Sequence, residues 1–426
     1  MVKVEGDKVV FHLARPYPPF LSILASNSSW SAILCKKTGI ELGCWDGKAE
    51  GWWKFHNIKK EESPLYEKEN GSGPFILSSW DRAEQKVTLV RNEQYWGTKP
   101  KLEKVIIWGV DEWSTRRAML EAGDADQIYI PQQYIDQLSG LSGIDVKKSP
   151  RLFVDTFQFN WNITKGSKFL GSGQMDGNGI PPEFFSDVHL RKAFASCIDY
   201  ETFTNQIMKG FGIQIPTVVP VGILGYSENL PKYQFNLDTA KEEFQKAFDG
   251  KLWENGFKLT IIYNTGNERR QTAAEMLKEN IESLNPKFKI DVQSQQWPTI
   301  LDLYKQGQLP MFGIGWQADF ADPHNFIFTY YHSNGAYGST YGDLYVKFAQ
   351  ENENLDKKID QAIAETDPTK RQALYEDIQK FVVDNAIGLP LAQVIEPEPM
   401  RTWVKDWQFH PIRPGTANYN EIYKQE

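Results

Sequence analysis

Gly313-Ile-Gly-Trp-Gln-Ala-Asp-Phe-Ala-Asp-Pro-His-Asn-Phe326 is the stretch on which the reading of this chain turns. Its first residues continue a short apolar run, 311–316, that reads as a strand. Asp322-Pro323 then opens a helix, with aspartate as N-cap and proline at the first helical position. One carboxylate is thereby explained by local structure, and Asp319 is not. Asp319 beside the flat wall of Trp316 suits a ligand carrying a positive charge, such as the amino end of a peptide. The plainer alternative is a solvated loop acid next to a core tryptophan. The two glycines allow another backbone to approach, and the extended segment from Gly315 to Asp319 can take a peptide as an added strand.

Outward from this stretch, strands and helices alternate. Strands are predicted at 258–263, 288–293, 311–316 and 389–394, and helices at 187–209, 238–248, 267–284, 298–306, 355–364 and 368–385, an α/β pattern. Upstream, Val2 to Leu13 reads as a hairpin turning at Glu5-Gly-Asp-Lys8. Lys86-Val-Thr-Leu-Val90 and Val105-Ile-Ile-Trp108 read as strands. Ser114 to Ala122 reads as a helix capped by Ser114 and ended by Gly123. Gly166 to Pro182 is a loop insertion, and Lys36 to Asn70 is Gly- and charge-rich without clear periodicity. Phe157-Gln-Phe-Asn-Trp-Asn162 and Gln393 to Pro399 are candidate crossings between two lobes. Two crossings imply a cleft between hinged lobes, a preferred place for a ligand.

The chain has 426 residues, enough for two or three domains with a large core. A net charge of -8 disfavours nucleic acid as a partner. The 14 tryptophans and 18 tyrosines stand out; such abundance is mostly core, and stacking clefts for sugars or peptides also use it. Six histidines show no metal-ligand spacing; His324 and His332 merely flank one short helix. No nucleophile elbow or phosphate loop occurs. Asp319 and Asp322 lie only three apart, with no obvious second acid set against either, which argues against a glycoside hydrolase. The expectation is therefore a binding protein and not an enzyme, with no cofactor and no metal. Cys35 and Cys44 flank a turn-rich loop that a disulfide would close in an oxidising compartment, two free thiols being the alternative. Cys197 lies on an apolar helix face and reads as inert packing.

Six fragments, in order, resemble one family. They are Asn70-Gly-Ser-Gly-Pro-Phe-Ile-Leu with Trp80; Arg91-Asn-Glu-Gln-Tyr-Trp96 with Leu102 to Ile107; Ala118 to Asp126; Asp187-Val-His-Leu-Arg-Lys-Ala-Phe194 through Asp199; the Gly313 stretch; and Arg371 to Tyr375 through Leu389-Pro-Leu391. Together they are similar to the extracytoplasmic oligopeptide- and dipeptide-binding proteins (family 5) of bacterial ABC importers. The resemblance implies an α/β, two-lobed periplasmic-binding-protein-like fold of class II type with central mixed sheets, lacking its N-terminal part. Residues 1–70 would be a remnant of the small lobe and the entry to the large one, 71–156 the middle of lobe I, 157–394 lobe III, and 395–426 the return to lobe I. It further implies an oligopeptide ligand, ABC permease subunits as partners, a monomer, and an extracytoplasmic location (periplasmic or lipid-anchored) with the signal region outside this chain.

By the same resemblance Trp297 and Trp316 would line the ligand cleft and Asp319 would pair with a peptide α-ammonium. Gly315 and Gln317 would present backbone, and Tyr337 and Tyr341 would face the cleft from a Gly-rich loop. Family members selective for very short peptides tend to hold the terminal carboxylate with an arginine, at places where this chain has Leu303 and Gly313. Lys305 offers only a point charge there. Neutral oligosaccharides stacked on the tryptophans are the rival ligand within the family.

Overall fold

Phe257–Asn264 and Phe288–Gln295 carry apolar residues at nearly every inward position, and Met311–Gln317 follows a Gln-Leu-Pro turn. Phe257–Asn264 and Met311–Gln317 suit strands covered on both faces, whereas Phe288–Gln295, with Lys289, Gln293 and Ser294 exposed, is covered on one. The computed structural model describes residues 2–26, 32–66, 68–351, 354–412 and 418–425. Strands in chain order are β1 Val2–Glu5, β2 Lys8–Phe11, β3 Phe75–Asp81, β4 Lys86–Arg91, β5 Lys104–Trp108, β6 Ile144–Phe159, β7 Gly212–Ile213, β8 Phe257–Asn264, β9 Phe288–Gln295, β10 Met311–Gln317, β11 Gly388–Arg401, β12 Val404–Lys405 and β13 Tyr423–Lys424.

The chain divides into two units, Met1–Ser26 with Pro150–Glu396, and Asn27–Ser149 with Pro397–Glu426. It leaves the second unit within β6, between Ser149 and Pro150, and returns within β11, between Glu396 and Pro397. The first of these points lies upstream of the 157–162 stretch read as a crossing; that stretch belongs to the first unit.

The first unit is built on a six-stranded sheet in the order β7-β11-β6-β10-β8-β9. β10 runs parallel to β8 and antiparallel to β6, and β8 runs parallel to β9, so the sheet is mixed. Aromatic packing organises one part of its core: Phe159, Phe184, Phe185, Phe194, Phe244, Phe257 and Phe288 form a chain of ring contacts with centroids 4.5–6.4 Å apart. Such pairs add roughly 0.5–1.5 kcal/mol each beyond area burial. Arg191 is buried beside this core, its guanidinium 3.6 Å from the centre of the Trp161 ring. It donates to the carbonyls of Phe185, Ser186, Asn385 and Ala386. Burial pulls its pKa down to about 9, against the opposing charge of Asp187.

In the second unit β3-β4-β5 form an antiparallel sheet. Leu120, Ile128, Ile130 and Leu138 form a small core there, and Met400, Val404 and Ile422 a second cluster.

Several local expectations are corrected. The helix read from Ser114 spans Trp113–Ala122, with Glu112 before it and no side-chain cap, although Gly123 does end it at φ 85. The 187–209 pattern is not one helix. Asp187 caps Val188–Ser196, the chain turns at Cys197, and Asp199 caps a second start that continues into a π-helical turn over Phe203–Ile207. Lys251–Asn255 and Asp343–Glu351 are helices with only short apolar faces. Cys35 and Cys44 are free thiols, not a disulfide. Cys197 is fully buried, and burial pushes its thiol pKa up. Among the described residues no helix is long and apolar enough to cross a membrane.

Candidate functional site

In an open α/β sheet, ligands gather at the carboxyl ends of parallel strands. β8 and β9 end level with each other at Asn264 and Gln295. β10 runs beyond them: Phe312 is opposite Ile262, so β8 stops one position short of the level of Gly315. The residues singled out in the sequence fall at this edge. Trp297 begins the helix that follows β9 and is 39% exposed, which leaves a large apolar surface uncovered there. Gly315, Trp316 and Gln317 end β10, and Asp319 follows in a bend.

Asn325 organises this edge. It is buried in the first turn of the His324–Tyr331 helix. Its side-chain oxygen accepts from Trp316 Nε1 at 2.8 Å and from the Asp319 backbone N–H at 3.0 Å. Its amide nitrogen donates to Asp319 Oδ2 at 3.3 Å. Asp319 is half-buried and makes no ion pair with any described residue. Tyr337 stands edge-on to Trp316 with centroids 5.5 Å apart, and its hydroxyl donates to the Gly315 carbonyl at 2.9 Å. Burial first, then the charges of Tyr304, Asp155 and Asp319, push the Tyr337 phenol up, with Arg270 opposing.

The neighbouring carboxylate has a structural task. Asp322 is buried and accepts from the His324 N–H at 2.9 Å, although Pro323, and not Asp322 as expected, stands at the N-cap of the helix. It also holds Arg371 in a two-pronged ion pair, both distances 2.8 Å. Burial lowers the Arg371 pKa, but bonding to Asp322 outweighs it and raises the value.

Some expected site residues do other work. Tyr341 does not face a cleft: it is fully buried, and its hydroxyl donates to Gln158 Oε1 at 2.6 Å. The Gln317 side chain is engaged within the protein, accepting from Arg151 at 2.9 Å and donating to the Leu152 carbonyl at 3.1 Å. Arg151 in turn pairs with Glu396 at 3.0 Å. The two glycines admit this protein's own side chains. A Cβ at Gly313 would sit 2.8 Å from Arg270 Cδ, and one at Gly315 would sit 2.4 Å from the Phe153 ring. Lys305 is exposed in the last turn of the Trp297–Lys305 helix, roughly 12 Å from its start by the helical rise, so it lies away from this edge.

A charge cluster at the same edge was missed. Asp155 is paired with Gly315 across β6 and β10 and is buried. Arg270 Nε donates to Asp155 Oδ1 at 2.7 Å, and Arg270 Nη1 to Asn264 at 2.7 Å. Arg269 approaches Asp155 Oδ2 at 3.4 Å. Arg269-Arg270 is visible in the sequence, but its acid lies 115 residues away from Arg270, beyond any local pattern. Among the described residues no group of three or more His, Cys, Asp or Glu side chains is placed to hold a metal ion.

The fold, with its mixed sheet of this order and polar groups at the ends of the parallel strands, is that of the periplasmic binding proteins. The ABC transporter-associated periplasmic binding protein DppA from Helicobacter pylori, solved with the peptide STSA, shares it: TM-score 0.73 at 24% identity, covering all of this chain and 74% of that one. A family model described as "Bacterial extracellular solute-binding proteins, family 5 Middle" matches residues 1–338, and the chain belongs to that family of bacterial extracellular solute-binding proteins. It is thus a transport binding protein and not an enzyme. Curated relatives include the probable D,D-dipeptide-binding periplasmic protein DdpA of Escherichia coli (strain K12), 26% identical over 99% of this chain and 72% of that protein. The dipeptide-binding protein of the same organism is 24% identical over 96% of this chain and 69% of its own length.

Proposed function

We propose that this chain binds oligopeptides outside the cytoplasm, as a monomer, and delivers them to the membrane subunits of an ABC importer. The observation that carries this reading is Asp319: a half-buried carboxylate, oriented by Asn325 beside Trp316, with no cation among the described residues to neutralise it. A peptide α-ammonium supplies that cation. A charge-assisted hydrogen bond of this kind contributes about 1.5–3 kcal/mol, the lower end applying where water has access. The names of the relatives point to the same ligand class. Trp297 and Trp316 would contact the first side chains, and the backbone of Gly315 to Gln317, beyond the end of β8, would lie along the peptide.

An oligosaccharide would stack on the same tryptophans but has no use for the charge of Asp319. Calorimetric titration of Asp319→Asn with trialanine and N-acetyl-trialanine separates these readings. The substitution is expected to weaken trialanine binding about tenfold or more and to leave the acetylated peptide nearly unchanged. Equal affinity of variant and parent for trialanine overturns the role of Asp319. Hexose-spaced masses in native mass spectrometry of the purified protein would replace the peptide with an oligosaccharide.

A further inference from the structure

Arg151 is the second residue of the first unit after the chain enters it through β6, and Glu396 is the last before the chain leaves it through β11. The two strands are neighbours in the sheet, and β10 lies on the other side of β6. One guanidinium joins all three. Arg151 Nη1 donates to Glu396 Oε2 at 3.0 Å, and Nη2 donates to Gln317 Oε1 at 2.9 Å, at the end of β10. The arginine and glutamate side chains are 23% and 13% exposed, so bulk water screens their pair only in part. Gln393 of β11 also donates to the Arg151 carbonyl, at 2.9 Å. On the second unit's side of the same passage Ser149 donates to Glu398 Oε2 at 2.7 Å. β6 and β11 are therefore tied by a side-chain bond on each side of the passage. Between the ties stand Pro150 and Pro397, which bring no N–H to a ladder.

We infer that Arg151 is a positioning residue for solute capture, linking occupancy of the β10 end to a bend of β6 and β11 at Ser149–Pro150 and Glu396–Pro397. It acts through Gln317 and Glu396, not by touching the ligand. The inference rests on the peptide reading above, which supplies the probe. Gln317 lies two residues before Asp319, in the segment proposed to run along the peptide, and its amide donates back to the Leu152 carbonyl at 3.1 Å. A peptide that fixes this segment fixes Gln317, and with it the arginine that holds Glu396 at the second passage. Bending at the two prolines breaks no backbone bond that either of them donates, while the ties keep the flanking residues in register.

The test is amide hydrogen exchange read by mass spectrometry, with and without saturating trialanine, over residues 144–153, 313–319 and 393–401. In the parent, trialanine should slow exchange in all three segments. In Arg151→Met the protection of 313–319 should persist, while the ligand-dependent change in 144–153 and 393–401 falls about threefold or more. Arg151→Lys, whose point charge cannot fork to two partners, should restore part of it. Glu396→Gln should lose the change in 393–401 alone. Calorimetry should show Arg151→Met binding trialanine about fivefold more weakly, the low end of coupling between sites, with discrimination against N-acetyl-trialanine intact. A merely structural role for Arg151 would raise exchange with and without ligand alike and leave the ligand-dependent difference in place, which overturns the inference. If the parent binds trialanine yet shows no ligand-dependent change at 144–153 and 393–401, the inference falls and the peptide reading stands. That comparison needs no variant, so a folding defect in Arg151→Met does not shelter it. If the parent does not bind trialanine, both fall.

Discussion

Replacing Asn325 by leucine tests the core of the site. The substitution keeps the number and branching of side-chain heavy atoms and removes the acceptor shared by Trp316 Nε1 and the Asp319 N–H, at 2.8 and 3.0 Å, along with the donor to Asp319 Oδ2. Leaving a buried donor unpaired costs about 1–3 kcal/mol. Trp316 and Asp319 are both half-buried, so water recovers part of each bond and the lower bound applies, for a total of about 2 kcal/mol. That loss should appear as a lower urea midpoint with an unchanged slope. Binding is the sharper readout. With Asp319 no longer oriented, affinity for trialanine should fall about tenfold to a hundredfold, or ~1.4–2.8 kcal/mol. If Asn325 acts through Asp319, the double variant with Asp319→Asn should bind no worse than Asp319→Asn alone, because the two residues form one unit. Additive losses, or a leucine variant that keeps its stability within 0.5 kcal/mol and its affinity intact, would refute this account of the site.

Two further predictions concern stability. Burial, and then the charges of Arg371, His332 and Arg15, press the His324 pKa down from 6.5 to about 3. The native state therefore holds this ring neutral, and its contribution is complete above pH 6.5 and lost as pH falls towards 3. Between pH 6.5 and 5 the loss is about 2 kcal/mol (1.5 units at 1.36 kcal/mol each). Urea unfolding at pH 7.5 and 5 should show His324→Gln losing about that much less than the parent; equal losses contradict it. Gly315→Ala should destabilise by about 1–3 kcal/mol, since its Cβ would lie 2.4 Å from the Phe153 ring and 2.9 Å from the Val154 carbonyl oxygen; an unchanged urea midpoint would show that β6 yields freely there.

What the sequence disclosed, and what it withheld, follows from the range of the interactions. β8, β9 and β10 were legible because their apolar runs are local, and so was the β1–β2 hairpin, where Gly6 takes φ 66 in the turn. Asp322-Pro323 marked a helix start, one residue early, from two adjacent residues, but the ion pair of Asp322 with Arg371 was not legible, because nothing near either residue announces the other. Tyr337 and Tyr341 sit in the same Gly-rich loop and look alike as letters. One reaches the Gly315 carbonyl and the other disappears against Gln158, and only the fold of that loop decides which.

The glycines of the Gly313 stretch make the same point in reverse. They read as room for a ligand backbone, yet the room is taken by Arg270 and Phe153. What distinguishes function from structure at this edge is therefore not residue type but incomplete satisfaction. Arg270, Asp322 and Tyr341 have their charges or hydroxyls answered within the protein. Asp319 and Arg269 are half-exposed charges that do not, one lacking a cation among the described residues and the other most of its acceptors. Leaving a charge half-buried and poorly partnered costs stability, and an arrangement that keeps two of opposite sign at one strand end is consistent with a ligand that brings both counter-charges.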